Sequence, residues 1–432
     1  MLKEISVIGL GFIGLPLSLS FSMNNAKVYG VDVNKELVKE INQGHTHHKE
    51  SYNNLTIQSI LKDQIRNERF SALTSILDLP ESVDTYIITV GIPVKDGQLT
   101  TGPIESVAVD LSKRLKKGDT VILRSTVVPG FTNEFFKPLL ELSGLKAGED
   151  FHLAYASERI AEGKAFKEFV DMPLVIGGVT RKSAEKAREA LTIVTKAETH
   201  IASAIEVVEM SKVIENAQRD VNIAMVQQYA TMARHMGIDP RELIQMANTH
   251  TRVNLLTPGP GVGGYCLPNA FHYLVPKAKE LGILNELSIS QEARRYNDEI
   301  PNKIVKMVED KLNELGKNLS ESKIVIFGLA MKDFSNDDRI SPPVYISELF
   351  VGKTKETRAY DPAVPTTYSF KDESAYDAVK DADVLLVLCE QEEMSSLDYK
   401  KIRELMKKDA FVLDTKHFFK KVCMEDINIY YF

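Results

Sequence analysis

Short apolar runs alternate with helix-forming stretches over the first part of the chain. Residues 5–8, 27–33, 86–90 and 120–123 are rich in branched apolar residues, and helical patterns separate them. Runs of this kind are typical of the strands of a parallel sheet covered by helices on both faces. The pattern therefore predicts a doubly wound α/β domain, which we place at residues 1–198.

The pattern changes to a continuous helix near residue 200. Ser203-Ala204-Ile205-Glu206 has the form of a capping box, and no Pro or Gly interrupts the helical pattern until Gly237. Helices average about 11–12 residues. A helix that continues without interruption from Ser203 to Gly237 is far longer, and such a helix is typical of an interface or of a spine between domains. A shorter helix is predicted at 240–248, before a glycine-rich segment. We place this central helical domain at residues 199–305.

Strand-like runs return in the last third of the chain, at residues 324–328, 357–361, 384–388 and 411–414. They predict a second α/β domain at residues 306–432. The predicted fold class is therefore α/β, with two doubly wound domains joined by a central helical domain.

Composition narrows the class of protein. The chain has 432 residues, 44% of them hydrophobic and 26% charged, with a net charge of -7. These values indicate a folded globular protein and disfavour a partner that is nucleic acid. No apolar run reaches the length of a membrane span. Three cysteines far apart in sequence, Cys266, Cys389 and Cys423, favour a reducing cytoplasm over a disulfide framework.

A dinucleotide fingerprint follows the first predicted strand. Gly9, Gly11 and Gly14 are spaced as G-x-G-x-x-G at the start of a helix, and Asp32 ends the next predicted strand. In such a loop the glycines allow a tight turn, close approach of a pyrophosphate and close helix packing. Asp32 would bind ribose hydroxyls and repel a 2′-phosphate. The first domain is therefore predicted to be Rossmann-like and to bind NAD.

Lys212, Asn216 and Arg219 lie at helical spacing on the long central helix. One interpretation is a polar stripe in contact with solvent. The other is a buried site, since the surrounding residues are largely apolar and a buried Lys and Asn need partners. A substrate oxyanion is one such partner.

Cys266 lies in the segment PGPGVGGYCLP, residues 258–268. A single intracellular cysteine is often a small buried apolar residue. The surrounding glycines and prolines favour instead a thiol that a ligand can approach, and therefore a nucleophile. Cys389 and Cys423 are interpreted as structural.

Three further polar segments admit simple interpretations. Ser157-Glu158-Arg159, with Glu162 beyond, resembles a turn before a helix, and Arg124-Ser125-Thr126 leaves a predicted strand where doubly wound sheets bind ligands. His45, His47 and His48 cluster without a further ligand, so a polar loop is favoured and no metal site is predicted.

Eight segments together resemble the UDP-glucose/GDP-mannose dehydrogenase family over essentially the whole chain. The segments are VIGLGFIGLP with the acid of VYGVDVN, RSTVVPG, SERIAEGKA, EVVEMSKVIENAQRDVNIA, RVNLLTPGPGVGGYCLP, IVIFGLAMKDFSNDDRISP and AYDP. ENAQRDVNIA and RVNLLTPGPGVGG are most similar to the UDP-N-acetylhexosamine branch of the family.

The resemblance implies an NAD-dependent, four-electron oxidation of the C6 alcohol of a UDP-N-acetylhexosamine to a uronate for surface polysaccharide synthesis. It implies that Cys266 forms a thiohemiacetal and then a thioester. Lys212 and Asn216 would stabilise the oxyanion, Glu158 would position or deprotonate water, and Thr126 would lie in the same pocket. The long helix would form a homodimer.

The resemblance also implies the binding residues. The cofactor contacts expected are Gly9, Gly11, Phe12, Ile13, Gly14, Asp32, Val90, Thr126, Lys332 and Arg339. The expected UDP-sugar contacts are Arg159, Arg219, Arg252, Gly263, Gly264 and Lys332, with Arg252 reaching a substrate in the partner subunit.

The chain departs from the family pattern at several positions. Ala270 stands where an Asp usually follows the cysteine, Ser157 replaces a Pro, and Gln227-Gln228 replaces an Asn-Glu pair. Glu50-Ser51-Tyr52 replaces Glu-Pro-Gly. These departures leave two alternatives open. One is a divergent dehydrogenase with slow thioester hydrolysis or another substrate, such as UDP-glucose. The other is a catalytically weak nucleotide-sugar binding protein.

Overall fold

The computed structural model describes residues 3–95, 97–161 and 163–432, except for the side chain of Lys95. The chain divides into two compact units. The first contains Met1–Glu215 and His272–Gly282, and the second contains Asn216–Phe271 and Ile283–Phe432. The predicted boundaries between the three domains remain a prediction.

The first unit is built on an eight-stranded sheet with the strand order β12-β11-β10-β9-β6-β1-β2-β5. All neighbouring strands are parallel except the β10/β11 pair. The strands are β1 (Glu4–Ile8), β2 (Lys27–Val31), β5 (Phe70–Leu73), β6 (Thr85–Ile88), β9 (Thr120–Leu123), β10 (His152–Ala156), β11 (Leu174–Gly178) and β12 (Thr199–Ile201). Two hairpins lie outside the sheet: β3 (Ser51–Tyr52) with β4 (Leu55–Thr56), and β7 (Val94–Lys95) with β8 (Gln98–Leu99).

Helices cover this sheet, and several begin at a residue whose side chain caps the helix. Asn34, Thr56 and Thr180 accept hydrogen bonds from first-turn amides. The helices are α1 (Gly14–Met23), α2 (Lys35–Asn42), α3 (Ile57–Arg66), α4 (Gly102–Ser112), α5 (Lys137–Leu140), α6 (Ala165–Asp171) and α7 (Arg181–Leu191). The order β5-β2-β1-β6-β9-β10 is that of a dinucleotide-binding sheet, with a crevice where β1 meets β6. The predicted Rossmann-like fold is confirmed.

Four helices follow. They are α8 (Ile205–His235), α9 (Pro240–Asn248), α10 (Cys266–Glu280) and α11 (Ser288–Glu314). The long helix α8 has 31 residues, and Gly237, with φ of +70°, ends the helical segment as predicted. Asp239 caps α9 by accepting a hydrogen bond from the Arg241 amide at 2.9 Å.

The second unit contains a six-stranded parallel sheet with the order β15-β14-β13-β16-β17-β18. Its strands are β13 (Lys323–Phe327), β14 (Glu356–Tyr360), β15 (Lys371–Asp372), β16 (Val384–Val387), β17 (Phe411–Asp414) and β18 (Asn428–Tyr431), and its helices are α12 (Pro342–Phe350), α13 (Ala375–Val379) and α14 (Tyr399–Leu405). Ile324 and Ile326 pack in one apolar cluster and Val325 and Phe327 in another, so each face of the sheet has its own core. The α/β fold class predicted for the last third of the chain is confirmed.

The two sheets share one detail. Asp32 at the end of β2 accepts a hydrogen bond from the Leu10 amide at 2.9 Å, and Asp361 after β14 accepts one from the Leu329 amide at 2.7 Å. The Asp after β2 therefore holds the turn that follows β1, and the Asp after β14 holds the turn that follows β13. Within the described part of the chain, none of the helices combines the length and apolar character needed to cross a lipid bilayer.

Candidate active site

A glycine turn joins β1 to α1. Gly9 has φ of +94°, and a Cβ added to Gly14 would lie 1.7 Å from the Gly9 carbonyl oxygen. A Cβ at Gly11 would meet no atom within 4 Å. The first glycine therefore makes the turn, the third allows close packing, and the second leaves open space beside the backbone. This cradle fits a pyrophosphate at the N-terminus of α1.

The other predicted cofactor residues of the first unit lie around this turn. Asp32 accepts from the Leu10 amide within the turn, and Thr89 donates to the Gly9 carbonyl at 2.8 Å. Phe12 packs edge-on against His48, with ring centroids 4.9 Å apart. Ile13, which precedes the first residue of α1, is half-buried. Among the described residues, no three metal-ligating side chains are grouped to hold a metal ion.

The loop after β9 carries Thr126, and a buried acid on α8 holds the loop in place. Glu209 accepts hydrogen bonds from the Gly130 amide at 2.6 Å, the Thr132 amide at 2.9 Å and the Thr132 hydroxyl at 2.5 Å. Burial raises the pKa of the Glu209 carboxyl above its usual range. At the other end of the loop, Ser125 donates to the Val90 carbonyl at 2.5 Å. These contacts fix the backbone on both sides of Thr126, which is half-buried.

Glu158 follows β10 and forms a buried ion pair. Its Oε2 lies 2.5 Å from Nη2 of Arg124, and the two side chains are 11% and 4% exposed. Its Oε1 accepts from the Arg159 amide at 2.7 Å and the Ile160 amide at 3.0 Å. A cavity of about 20 Å³, room for about one water molecule, borders Arg124, Ser157 and Glu158. Three of the four lone-pair sites of this carboxylate are therefore occupied by the protein.

Arg159, a predicted substrate contact, is held by Glu215 of α8. Its Nη2 lies 2.9 Å from Glu215 Oε1, and its Nε donates to Glu215 Oε2 at 3.1 Å. Both side chains are about one-third exposed. The other acid of this segment, Glu162, lies outside the described residues.

The predicted polar stripe on α8 divides into buried and exposed members. Lys212 and Asn216 are each only 8% exposed, whereas Arg219 is exposed. Among the described residues, neither Lys212 nor Asn216 forms a side-chain hydrogen bond, and no carboxylate lies within 4 Å of the Lys212 amine. The buried stripe continues to Asp220, which pairs with Arg294 at 2.7 Å. The buried interpretation therefore holds for Lys212 and Asn216, and the role of Arg219 stays a prediction.

In the second unit, two residues of α8 use their side-chain amide groups to hold the segment that precedes Cys266. Asn222 donates to the Asn254 carbonyl at 2.7 Å and accepts from the Leu256 amide at 3.0 Å. Gln227 donates to the Gly259 carbonyl at 2.6 Å. Arg252, at the start of the segment, is exposed.

Cys266 is the first residue of α10, and its side chain is a free, exposed thiol. The first-turn amides of a helix favour a negative charge at this position. Asn269 donates to the Tyr265 carbonyl at 2.8 Å, so it orients the backbone next to the thiol. Ala270 is buried.

Gly263 and Gly264 lie against the segment after β13. A Cβ on Gly263 would come within 2.6 Å of Pro342, and one on Gly264, whose φ is +77°, within 2.4 Å of the Met331 sulfur. The Gly264 amide donates to the Ile340 carbonyl at 3.3 Å. Close packing therefore requires glycine at Gly263, and the positive φ favours glycine at Gly264.

A cavity of about 330 Å³ opens beside this packing, and we call it the glycine-loop cavity. Its basic residues are Arg241, Lys332, Lys416 and Lys421, and its walls include residues 257–261. Lys416 and Lys421 are paired with Asp333 at 2.7 Å and Glu390 at 2.8 Å. Arg339 pairs with Asp337 at 2.5 Å and does not line the cavity.

Sequence models of one family match nearly the whole chain. The NAD binding domain of the UDP-glucose/GDP-mannose dehydrogenase family matches residues 3–195, its central domain 206–299, and its UDP binding domain 325–421. The chain belongs to this family. The fingerprint turn lies in the NAD binding domain, and the cofactor is NAD.

Individual relatives agree with this assignment. The chain is 33% identical to UDP-N-acetyl-D-mannosamine dehydrogenase of Pyrococcus horikoshii, covering 97% of this chain and 96% of that protein. It is 34% identical to the Yersinia pestis enzyme of the same name, covering 96% and 98%.

Solved structures show the same similarity. The UDP-D-ManNAc dehydrogenase of Pyrococcus horikoshii has a TM-score of 0.91 at 32% identity, covering 99% of each chain. The UDP-N-acetyl-mannosamine dehydrogenase Cap5O of Staphylococcus aureus has a TM-score of 0.86 at 30% identity, covering 99% and 98%.

The protein is thus an NAD-dependent nucleotide-sugar dehydrogenase, and its UDP binding domain contains Lys332 and Arg339. Sequence reasoning missed the residues that hold the site's loops. Glu209, Asn222 and Gln227 each bind backbone 32 to 79 residues away in sequence. Glu50 has the same kind of role, since it accepts from the Gly163 amide at 2.5 Å and the Ala165 amide at 3.1 Å. A buried polar residue on an otherwise apolar helix face was the available signal.

Proposed function

We propose that this dehydrogenase oxidises the C6 hydroxymethyl group of a UDP-N-acetylhexosamine to the carboxylate, through covalent intermediates on Cys266, for surface polysaccharide synthesis. The substrate class is supported by relatives that are 33% and 34% identical over nearly the full chain and are named UDP-N-acetyl-D-mannosamine dehydrogenases. The observation that carries the chemistry is Lys212, a residue that is only 8% exposed and has no anionic partner among the described residues. A buried cation of this kind is stabilised when an oxyanion forms next to it.

The reaction balances in two oxidations and one hydrolysis. NAD supplies the hydride acceptor in both oxidations. The alcohol first loses a hydride and a proton to become an aldehyde, which the Cys266 thiolate attacks to form a thiohemiacetal. Loss of a second hydride gives a thioester, and water then releases the carboxylate and restores the thiol. One alcohol, two NAD⁺ and one water thus give one carboxylate, two NADH and three protons.

The chain's own residues have separate roles in this proposal. Lys212 and Asn216 donate hydrogen bonds to the oxygen as it becomes an anion, each worth about 3 kcal/mol. Glu158, oriented by Arg124 and two backbone amides, positions the water that cleaves the thioester. Thr126 contributes a hydroxyl to the same pocket.

The glycine-loop cavity is the proposed site of the UDP diphosphate. Lys332 lines the cavity on the segment that packs against Gly263 and Gly264, and supplies a charge for the phosphates. Arg252, Arg219 and Arg159 remain proposed sugar or partner-subunit contacts, and Arg339 a proposed contact near the cofactor.

Helix α8 also supports the proposal of a homodimer. Val207, Met210, Ile214, Tyr229 and Met232 are large apolar residues, and all are exposed. Their spacing of three, four or multiples of these places them on one stripe of the helix. A stripe of this length is typical of a helix that packs against a second copy. All three cysteines are free thiols, which supports a reducing cytoplasmic location.

A divergent enzyme with slow thioester hydrolysis is the second candidate. Ala270 is buried, and its methyl side chain supplies no polar group where the family usually has an Asp. Glu158 has three of its lone-pair sites occupied, which leaves little capacity to hold water. Both features act on hydrolysis and leave the two oxidations unaffected.

Counting NADH per sugar separates the candidates. Purified protein is mixed with excess NAD and a limiting amount of each UDP-hexose and UDP-N-acetylhexosamine in turn. Two NADH per sugar with free uronate, obtained with a UDP-N-acetylhexosamine, supports the main proposal. Two NADH per active site followed by a stall, with the sugar retained on Cys266 in the intact mass, supports slow hydrolysis. Saturable sugar binding without any NADH would contradict both.

A further inference from the structure

A second and larger cavity lies in the second unit, away from the residues assigned above. It has a volume of about 680 Å³ and opens between the end of α8, the second half of α11 and strands β17 and β18. None of the predicted catalytic, cofactor or sugar-binding residues lines it. Cavities of about 300–1,000 Å³ are the usual size for small organic ligands. We call it the Arg234 cavity.

Aromatic rings form part of its apolar wall. Tyr430, Tyr431 and Phe432 line the cavity together with Ile300 and Met307. The guanidinium carbon of Arg234 lies 4.3 Å from the centre of the Phe432 ring, and the Lys311 amine 4.1 Å from that of Tyr430. Flat apolar surfaces next to cations suit a planar ring system that carries a negative charge.

The cavity is lined by three acids and three lysine or arginine side chains, and two of the acids have their partners outside the lining. Each of its three acids has a lysine partner: Asp239 pairs with Lys420, Asp310 with Lys306 at 2.8 Å, and Glu314 with Lys311 at 2.6 Å. These pairs leave two cations of the lining, Arg234 and Lys303, uncompensated.

Arg234 and Lys303 have no acidic partner among the described residues. Arg234 makes one side-chain hydrogen bond, to the Thr231 hydroxyl at 3.0 Å, and its Nη1 is buried without a hydrogen-bond partner. Burial lowers the pKa of Arg234, which means that its charge is incompletely solvated. The Lys303 amine lies over the Tyr296 ring at 3.4 Å. An anion in the cavity would compensate both charges.

We propose that the Arg234 cavity binds a small aromatic phosphate of nucleotide size, with its ring against Tyr430, Tyr431 and Phe432 and its phosphate paired with Arg234 and Lys303. The site is distinct from the glycine-loop cavity, because the two have no lining residue in common. A bound ligand would join the end of α8 to the edge of the sheet. The proposal does not depend on the sugar that the enzyme oxidises.

The chain offers a local reporter because it contains no tryptophan. Tyr431→Trp places a single indole in the wall of the cavity, and Tyr430→Trp serves if the first variant does not fold. Tyr345→Trp, on α12 and outside the lining, is the matched control. We titrate each variant with adenosine 5′-monophosphate, adenosine and inorganic phosphate, and follow indole fluorescence.

We expect a saturable change with the monophosphate in Tyr431→Trp, and binding at least 10-fold weaker with adenosine or phosphate alone. Adding Arg234→Gln should weaken binding of the monophosphate by at least 10-fold. Arg295→Gln, which removes a charge from α11 outside the lining, should leave it unchanged. The proposal is wrong if the reporter in a folded variant shows no saturable change, if Tyr345→Trp responds equally, or if Arg234→Gln has no effect.

Discussion

Nη2 of Arg124 lies 2.5 Å from Oε2 of Glu158, and both side chains are almost completely removed from water. Arg124 is therefore a positioning residue for the acid that we propose to hold the hydrolytic water. The pair joins the ends of two adjacent strands, since Arg124 follows β9 and Glu158 follows β10.

Arg124→Gln leaves the Glu158 carboxylate buried without its cation, and we expect a loss of about 3–5 kcal/mol in the free energy of unfolding. Arg159→Gln is the matched control, because its pair with Glu215 is about one-third exposed and should cost only about 0–1 kcal/mol. Urea unfolding of the two variants measures the difference. Equal losses would contradict the assignment of a buried pair.

Lys212→Met separates a catalytic lysine from a structural one. The amine has no hydrogen bond or ion pair among the described residues, so its removal should not lower the free energy of unfolding. Loss of an oxyanion donor should lower kcat by about 10²–10³-fold. Steady-state kinetics and urea unfolding check both outcomes. A variant with unchanged kcat would exclude Lys212 from the oxyanion site.

Cys266→Ser tests the covalent step. We expect loss of uronate formation while NAD binding, measured by calorimetry, stays within about 2-fold of the original, since the glycine turn is untouched. Cys423→Ser, which removes the other exposed thiol, should retain activity. Normal turnover by Cys266→Ser would refute the nucleophile assignment.

Local sequence signals predicted the elements well. Gly237 marks the end of the helical segment of α8, and the spacing of Gly9, Gly11 and Gly14 gave each glycine its observed place in the turn. These features depend on backbone geometry over a few residues, which a sequence displays directly.

The sequence was less informative about contacts between distant segments. Glu209 holds residues 77 and 79 positions away, and no spacing rule connects them. Arg219 lies at helical spacing from Lys212 and Asn216, but the buried stripe proceeds in steps of four to Asp220. A shift of one residue along the helix therefore decides which side chain is buried. The glycines and prolines before Cys266 are typical of a loop, but Cys266 begins α10, and Pro268 two residues later is a signal of a helix start.

Two buried groups give pH dependences of opposite sign. Burial raises the pKa of Asp119 to about 6. The contribution of this carboxyl to the stability of the folded protein is therefore present at low pH and is lost as pH rises through that value. Burial lowers the pKa of His417 to about 4, so its contribution is present at neutral pH and is lost as pH falls from about 6.5 towards that value.

Asp119→Asn removes the first effect while keeping an oxygen that can accept the Lys116 amide, which Asp119 now binds at 2.9 Å. The stability of Asp119→Asn relative to the original chain should therefore increase between about pH 4 and 6 and stay constant above about pH 7. His417→Asn should show the opposite trend and gain stability relative to the original chain as pH falls, because the titrating imidazole is gone. Asn is a suitable replacement since it tolerates the positive φ of 56° at this position. Urea unfolding at a series of pH values gives both curves. Because the two variants share every other titrating group, curves of the same sign would show that burial does not control one of the two pKa values.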